Sequence, residues 1–245
     1  MKRFLRISAT VTAVVLLGFA LVFVFWANDA SAADSAALQA LNSDANVSVR
    51  EENGWFVFSP VNAEPKTGFV FYPGGKVDYR AYAPALKLIA ERGYVVALVP
   101  APLNLAFFDV NAASDVKAAH PEITNWFVGG HSLGGVAASA YASAHEVRGV
   151  VFWASYPEDD SLRTKAIPAV SIYGTRDGLA AGEQLDASRD LLLPDTQFIA
   201  IEGGNHAQFG SYGPQAGDND AAISPIEQWQ QAADATVIFF EQSTQ

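Results

Sequence analysis

The chain has 245 residues, no cysteine and a formal net charge of −11 at pH 7. This length is enough for one α/β domain with a substantial core, and the lack of cysteine excludes disulfides, thiolate metal sites and a cysteine nucleophile. Because the acidic charge is not offset by any cluster of basic residues, we do not expect a nucleic-acid partner.

The first 32 residues form a segment of distinct composition. Three basic residues lie within the first six positions, and residues 7–26 then contain no ionisable side chain. A 20-residue helix is about 30 Å long, enough to cross a hydrocarbon core. We therefore expect a transmembrane anchor in residues 1–32, with the rest of the chain exported from the cytoplasm. The small residues of "DASAAD" at 29–34 fit a signal-peptidase site, so a cleaved signal peptide and secretion are the alternative.

Residues 33–46 are small and polar and are expected to form a tether with at most one short helix, whereas residues 47–245 alternate strand and helix patterns. The predicted strands are residues 47–50, 55–59, 67–72, 94–99, 126–128, 147–153, 167–173 and 197–201. The predicted helices are residues 81–92, 109–119, 132–144, 180–193 and 224–240. Nearly all-apolar strands separated by helices indicate an α/β domain. We expect a mostly parallel sheet with helices on both faces, opened by an antiparallel hairpin with Asn53-Gly54 in its turn.

The stretch "WFVGGHSLGG" has the spacing GxSxG at Gly130, Ser132 and Gly134. An apolar strand ends just before it and a helix rich in small residues begins just after it, as at a nucleophile elbow. In such a turn the serine backbone is strained and positions 130 and 134 are pressed together, so only glycine fits there. We therefore predict that Ser132 is a nucleophile. The alternative is a Gly-rich turn with a serine that only caps the helix.

A serine hydroxyl needs a base within hydrogen-bond reach. Of the four histidines, His206 follows the predicted strand 197–201 on a glycine-rich loop, where active-site groups of parallel sheets collect. His131 is adjacent to Ser132, and neighbouring side chains at such a turn are expected to point apart. We choose His206 as the base, with a structural loop histidine as the alternative.

The base in turn needs a carboxylate to orient it. Asp177, in "YGTRDG", lies just past the predicted strand 167–173. We choose it as the catalytic acid, with Asp159 or Asp160 in reserve. Asp177 could instead cap the helix that follows.

Acyl transfer also needs fixed donors for the oxyanion that develops on the substrate. The backbone N–H of Leu133, at the start of a helix, is one candidate. The sequence "FYPGGK" supplies the other after a predicted strand, and we choose Gly75 first and Lys76 second.

Several segments together resemble the α/β-hydrolase superfamily, specifically its small bacterial fold-5 type. They are "GFVFYPGGKVDYRAYAPAL", "VPAPLNLAFF", "VGGHSLGGVAA", "YGTRDG" and "GGNHAQFGSYGPQAGD", within about residues 65–225. The resemblance implies an eight-stranded, mostly parallel sheet and a triad of Ser132, Asp177 and His206. The chain order Ser, Asp, His agrees with that fold. Pro73 stands where many relatives place a histidine, and the family does not define a substrate.

Only "ASYPEDDSLRTKA" separates the predicted strands 147–153 and 167–173, which is too short for a large cap domain, so we expect an open site. Its walls are expected to include Leu105, Phe107, Trp153 and Tyr156, although core packing would use such residues too. We predict an exported, membrane-tethered serine hydrolase that cleaves carboxylic esters or thioesters through an acyl-enzyme and needs no metal or organic cofactor. The alternatives are an acyltransferase or perhydrolase with the same triad, and a non-catalytic envelope binding module.

Overall fold

A computed structural model describes residues 2–180 and 182–244, with side chains from Thr12 onward. Within these ranges, one eight-stranded sheet has the order β1-β2-β4-β3-β5-β6-β7-β8. The strands are β1 (Val47–Glu52), β2 (Trp55–Pro60), β3 (Thr67–Tyr72), β4 (Val95–Leu98), β5 (Asn125–His131), β6 (Gly149–Trp153), β7 (Ala169–Gly174) and β8 (Gln197–Ile201). The α-helices in the same ranges are α1 (Lys2–Asn28), α2 (Ser35–Ala40), α3 (Ala83–Glu91), α4 (Ala112–Ala119), α5 (Leu133–Ala144), α6 (Ser161–Thr164), α7 (Glu183–Ala187) and α8 (Pro225–Ser243).

The sheet is antiparallel at one edge and parallel elsewhere. β1 and β2 form the predicted hairpin, in which Asn53 and Gly54 have positive φ values of 50° and 95°. β2 pairs antiparallel with β4, and the pairs from β4 through β3, β5, β6 and β7 to β8 are all parallel. The predicted α/β architecture is therefore confirmed. Parallel strands end at the same sheet edge, so the loops after β3, β5, β6, β7 and β8 meet there.

Helices cover both faces of the sheet because the buried strands are apolar at nearly every position and successive side chains point to opposite faces. In β3, Phe69 and Phe71 belong to the core cluster beneath α3 and α8, whereas Val70 and Tyr72 belong to the cluster beneath α4 and α5. Phe240 of α8 stacks on β5, with its ring centroid 4.4 Å from that of Phe127. Packing on both faces fixes the position of the sheet edge at which the loops after β3, β5, β6, β7 and β8 begin.

Each of the five predicted helices differs from the observed helix at one end or at both; α4, for example, begins at Ala112 rather than at residue 109. α3 begins at Ala83 rather than at residue 81, because the preceding residues, Tyr79–Tyr82, form a 3₁₀ turn. The predicted helix 180–193 is wrong in its extent. Gly182 has φ 72° and delays the start of α7 to Glu183, and the helix passes into a 3₁₀ turn at Ser188–Leu191. Residue 181 lies outside the described residues.

The N-terminal segment begins as α1 and then runs along the domain. The large apolar side chains of α1 from Val14 to Trp26 are 39–81% exposed. Among the described residues, no helix combines the length and apolar character needed to cross a membrane, which does not support the predicted transmembrane anchor. The side chains of residues 1–11, where the basic residues and the start of the predicted span fall, lie outside the described residues. Residues 33–46 contain α2, whose N-cap carboxylate, Asp34, accepts the amides of Ala36 and Ala37.

Candidate active site

Ser132 occupies a sharp turn between β5 and α5. Its backbone angles, φ 50° and ψ −120°, lie in a region that non-glycine residues rarely adopt. The Ser132 N–H donates to the Trp153 carbonyl at 3.0 Å, and the Ser132 carbonyl accepts from Gly135 N at 3.0 Å and from Ser155 Oγ at 2.6 Å. These bonds hold the strained backbone in place.

The glycines on either side of Ser132 are required by close contact. A Cβ on Gly130 would lie 2.4 Å from the carbonyl carbon of Gly134, and a Cβ on Gly134 would lie 2.1 Å from the carbonyl oxygen of Tyr72. Backbone atoms at such distances cannot move aside without disturbing β3 or the turn. The predicted reason for glycine at both positions is confirmed.

His206 and Asp177 form a buried pair on the loops after β8 and β7. His206 Nδ1 lies 2.9 Å from Asp177 Oδ2, and their side chains are 2% and 0% exposed. The other carboxylate oxygen, Oδ1, accepts the amides of Leu179 and Ala180, each at 2.7 Å. Asp177 therefore contacts His206 with one carboxylate oxygen and caps its own turn with the other. Because an ionised carboxylate only accepts, His206 carries its proton on Nδ1 and leaves Nε2 basic.

A second carboxylate joins the two loops that carry this pair. Asp218 accepts the amide of Gly178 at 2.9 Å through Oδ1 and the amide of Ala207 at 2.8 Å through Oδ2. Gly178 and Ala207 each follow a member of the pair directly in the chain. Asp218 therefore fixes the relative position of the two loops.

Ser132 and His206 line one cavity of about 340 Å³. Among the described residues, its lining consists of Ser132, Leu133, Val136, Ala154, Ser155, Tyr156, Leu179, Ala180, His206 and Gln215. These lining residues are mostly apolar and include no Lys, Arg, Asp or Glu. Within the described ranges, no group of three or more His, Asp or Glu side chains is arranged to hold a metal ion.

The loop after β3 lies directly beside the start of α5. A Cβ on Gly75 would lie 2.8 Å from Leu133 Cδ2, so these two candidate oxyanion donors are neighbours. The amides on either side of Gly75 are already engaged, since Gly74 N donates to Tyr82 Oη at 3.0 Å and Lys76 N donates to the Asn104 carbonyl at 2.8 Å.

A model of the "Alpha/beta hydrolase family" matches residues 68–230, a range that includes Ser132, Asp177 and His206. The chain belongs to the α/β-hydrolase family. A search of curated proteins finds no match.

Solved structures similar to this α/β hydrolase cover most of the chain at low sequence identity. TT1662 from Thermus thermophilus has a TM-score of 0.60 at 15% identity and covers 80% of this chain and 98% of its own. The esterase domain of a Rhodothermus marinus protein has a TM-score of 0.59 at 15% identity, with coverages of 81% and 97%. Est1E from Butyrivibrio proteoclasticus has a TM-score of 0.56 at 12% identity, with coverages of 82% and 99%. At these identities the likeness is one of fold, and it agrees with the match to the family model.

The four predicted pocket residues of this hydrolase lie in different surroundings. Tyr156 lines the cavity. Trp153 is fully buried beneath it, and its indole N–H donates to Thr236 Oγ1 at 3.1 Å. Leu105 is buried against the Gly75 loop, whereas Phe107 is 52% exposed and is not part of the cavity lining. The reserve acid Asp159 instead caps the turn at Ser161 with its carboxylate.

Sequence reasoning missed the role of Tyr82 and set His131 aside. Tyr82 Oη lies 2.8 Å from His131 Nδ1, and the His131 and His206 ring centroids are 4.4 Å apart. Tyr82 Oη also accepts from Gly74 N at 3.0 Å, so one hydroxyl bonds both the Gly75 loop and His131. Burial, and then the adjacent His206, hold the pKa of His131 well below its usual value. A neutral imidazole thus packs against the candidate base.

Proposed function

We propose that this protein is a serine hydrolase that cleaves carboxylic esters or thioesters through an acyl-enzyme on Ser132. The observation that carries the proposal is the buried pair of His206 and Asp177, which faces a cavity that Ser132 also lines. Membership of the α/β-hydrolase family supports the same class of reaction. Proton transfer requires Ser132 Oγ to come within about 2.6–3.2 Å of His206 Nε2 in the substrate complex.

The proposed reaction has two steps that use the same groups. In the first, His206 Nε2 takes the proton of Ser132 Oγ as the oxygen bonds to the substrate carbonyl carbon. The tetrahedral intermediate collapses, the bond to the leaving oxygen or sulfur breaks, and His206 gives its proton to the leaving alcohol or thiol. In the second, water attacks the acyl-enzyme with His206 again acting as base, releasing the acid and restoring Ser132. Asp177 stabilises the imidazolium formed in each step.

For the oxyanion we propose the amides of Leu133 and Gly75 as donors. Leu133 is the first residue of α5, where backbone amides have no partner within the helix. Gly75 lies against it, and we prefer it to Lys76 because the Lys76 amide already donates to the Asn104 carbonyl. Such donors aim at charge that develops only in the transition state.

The shape and chemistry of the cavity support a short or medium apolar acyl group. Its volume is at the lower end of the range for small-molecule sites, and no charged carboxylate, lysine or arginine lines it. A series of p-nitrophenyl esters from acetate to laurate tests this directly. We expect kcat/KM to peak below the longest chain.

We further propose that the catalytic domain is exported and that the N-terminal segment holds it at a membrane. The basic residues before an uncharged 20-residue stretch support this orientation. The large apolar side chains of α1 are exposed, and one of them, Phe23, packs edge-on against exposed Phe108. The intact mass of the protein isolated from membranes distinguishes a retained segment from a cleaved signal peptide.

A fluorophosphonate probe tests the nucleophile. Wild type should be labelled and Ser132→Ala should not, whereas Ser143→Ala, on the exposed end of α5, should be labelled like wild type. Asp177→Asn should lower kcat for p-nitrophenyl butyrate by about 10³- to 10⁴-fold because the histidine loses its orienting carboxylate. The matched variant Asp159→Asn should retain wild-type activity.

The same assay separates the other candidate functions. An added alcohol or peroxide that raises the rate of product formation would make acyl transfer or perhydrolysis the better description. A wild type that is neither labelled nor active would favour the non-catalytic envelope module.

A further inference from the structure

The loop that carries Gly75 is held along one side by the N-terminal segment. Ser31 N donates to the Lys76 carbonyl at 2.8 Å, and Asp78 N donates to the Ser31 carbonyl at 2.9 Å. Ser31 and Val77 form an isolated parallel bridge. The segment therefore pairs with this loop as a short strand would.

Side chains reinforce the backbone pairing. The ammonium group of Lys76 lies 4.8 Å from the ring centroid of Trp26 and 3.8 Å from Asp29 Oδ2. Asn104 links the two segments, because its side-chain Nδ2 donates to the Ala27 carbonyl at 3.1 Å while its own carbonyl accepts the Lys76 amide. Ala27 itself is fully buried.

These contacts involve a loop in which three residues have backbone angles that are unfavourable for residues other than glycine. Lys76, Leu103 and Asn104 all have left-handed φ values, 58°, 53° and 53°. Non-glycine residues keep such angles only where the surrounding structure holds them. Lys76 directly follows Gly75, so the angle held at Lys76 contributes to the direction of the loop around the proposed oxyanion donor.

We propose that residues 26–31 are a positioning element of the active site and that the active enzyme retains them. The inference rests on the proposed function, because the Gly75 loop matters only if an oxyanion forms there. Cleavage after Ala32, as at a signal-peptidase site, would remove every contact that residues 26–31 make with Lys76, Asp78 and Asn104. The loss of these contacts would lower turnover while leaving the His206–Asp177 pair untouched.

Two substitutions of Ser31 in the full chain test the backbone contact. Proline lacks an N–H, so Ser31→Pro removes the donor to the Lys76 carbonyl, whereas Ser31→Ala keeps both backbone groups. We expect Ser31→Pro to lower kcat for p-nitrophenyl butyrate by about tenfold or more, since loss of a whole oxyanion donor costs about 10²- to 10³-fold. KM should stay within about twofold, as expected for an interaction made in the transition state. Ser31→Ala should resemble wild type.

A second pair of variants decides the question even if Ser31→Pro fails to fold. Trp26→Leu removes the ring beneath Lys76 from an exposed helix face, and Phe25→Leu changes the neighbouring ring, which is 81% exposed. We expect Trp26→Leu to lower kcat about two- to fivefold, the effect of an exposed cation–π contact, and Phe25→Leu to have no effect.

Fluorophosphonate labelling separates the two possible failures. An unlabelled, inactive wild type would overturn the proposed function and this inference with it. A labelled, active wild type whose folded Ser31→Pro variant and Trp26→Leu variant keep the wild-type kcat would overturn the inference alone. If Ser31→Pro does not fold, an unchanged kcat in Trp26→Leu has the same consequence.

Discussion

Replacing Tyr82 with phenylalanine should separate the support of the proposed oxyanion loop from the proposed triad itself. The hydroxyl of Tyr82 is fully buried, accepts the Gly74 amide at 3.0 Å and contacts His131 Nδ1 at 2.8 Å. The phenyl ring of the variant would fill nearly the same space. The change therefore removes one oxygen and leaves two buried polar groups without their partner.

The expected loss of stability follows from the Gly74 amide and His131 Nδ1, which both lose their hydrogen-bond partner. A buried donor or acceptor left unpaired costs about 1–3 kcal/mol, so for two such groups we expect the free energy of unfolding to fall by about 2–6 kcal/mol. Natural domains have stabilities of about 5–15 kcal/mol, so a domain above the lower end of that range remains folded after such a loss. Because Gly74 directly precedes Gly75, we also expect kcat to fall about tenfold or more, less than the full loss of an oxyanion donor.

Urea unfolding and steady-state kinetics on p-nitrophenyl butyrate measure both effects in one preparation. Tyr79→Phe is the matched control, because it removes a hydroxyl from the same 3₁₀ turn at a partly exposed position that stacks on Phe56. We expect the control to differ little from wild type. If Tyr82→Phe keeps the wild-type kcat and unfolds at the same urea concentration, the hydrogen bonds assigned to Tyr82 do not support the loop.

Three further predictions test other parts of the site. Gly134→Ala places a Cβ against the Tyr72 carbonyl and should destabilise the fold by more than about 4 kcal/mol in urea unfolding, whereas Gly18→Ala, with no atom within 4 Å, should not. The pKa of His131 is lowered in the folded state, so the unfolded chain binds a proton first as the pH falls below about 6.5. His131 thus contributes stability that is present at neutral pH and lost on acidification, by at most about 1.4 kcal/mol per pH unit. Replacing it in His131→Phe should therefore make the free energy of unfolding in urea less sensitive to pH between 7.5 and 5.5. Asp218→Ala breaks the link between the loops that carry Asp177 and His206 and should lower kcat about tenfold with little change in KM.

Those parts of the fold that follow from local pattern were predictable from the sequence. The Asn53-Gly54 turn, the apolar strands and the glycine spacing around Ser132 can each be recognised within a few residues of sequence. The predicted helix 180–193 was wrong in extent because apolar periodicity does not report the left-handed backbone at Gly182. The sequence indicated that the sheet would be mostly parallel, but it did not predict the order of the strands.

In the site, strand ends and residue chemistry were enough to choose the members that the structure brings together. Asp177 and His206 each follow a parallel strand, and such strands end at one edge. The supporting contacts left no comparable signal. Tyr82 reaches His131 across 49 positions, and Ser31 pairs with the Lys76 loop through backbone atoms that every residue type except proline possesses.

The Gly75 loop has two supports, one on each side of Gly75, and they come from separate parts of the chain. Tyr82 accepts the amide before Gly75, while Asn104 and Ser31 engage the amide and carbonyl of the residue after it. With both neighbours committed to the protein, the Gly75 amide remains the one available for an oxyanion at this point of the loop. A donor held in this way before substrate binds needs no reorganisation during the reaction, which is the condition under which such donors accelerate acyl transfer most. Loosening either support should therefore lower kcat and leave KM nearly unchanged. Loosening both in Tyr82→Phe/Ser31→Pro should cost less than the product of the two single effects, because both act through the same amide.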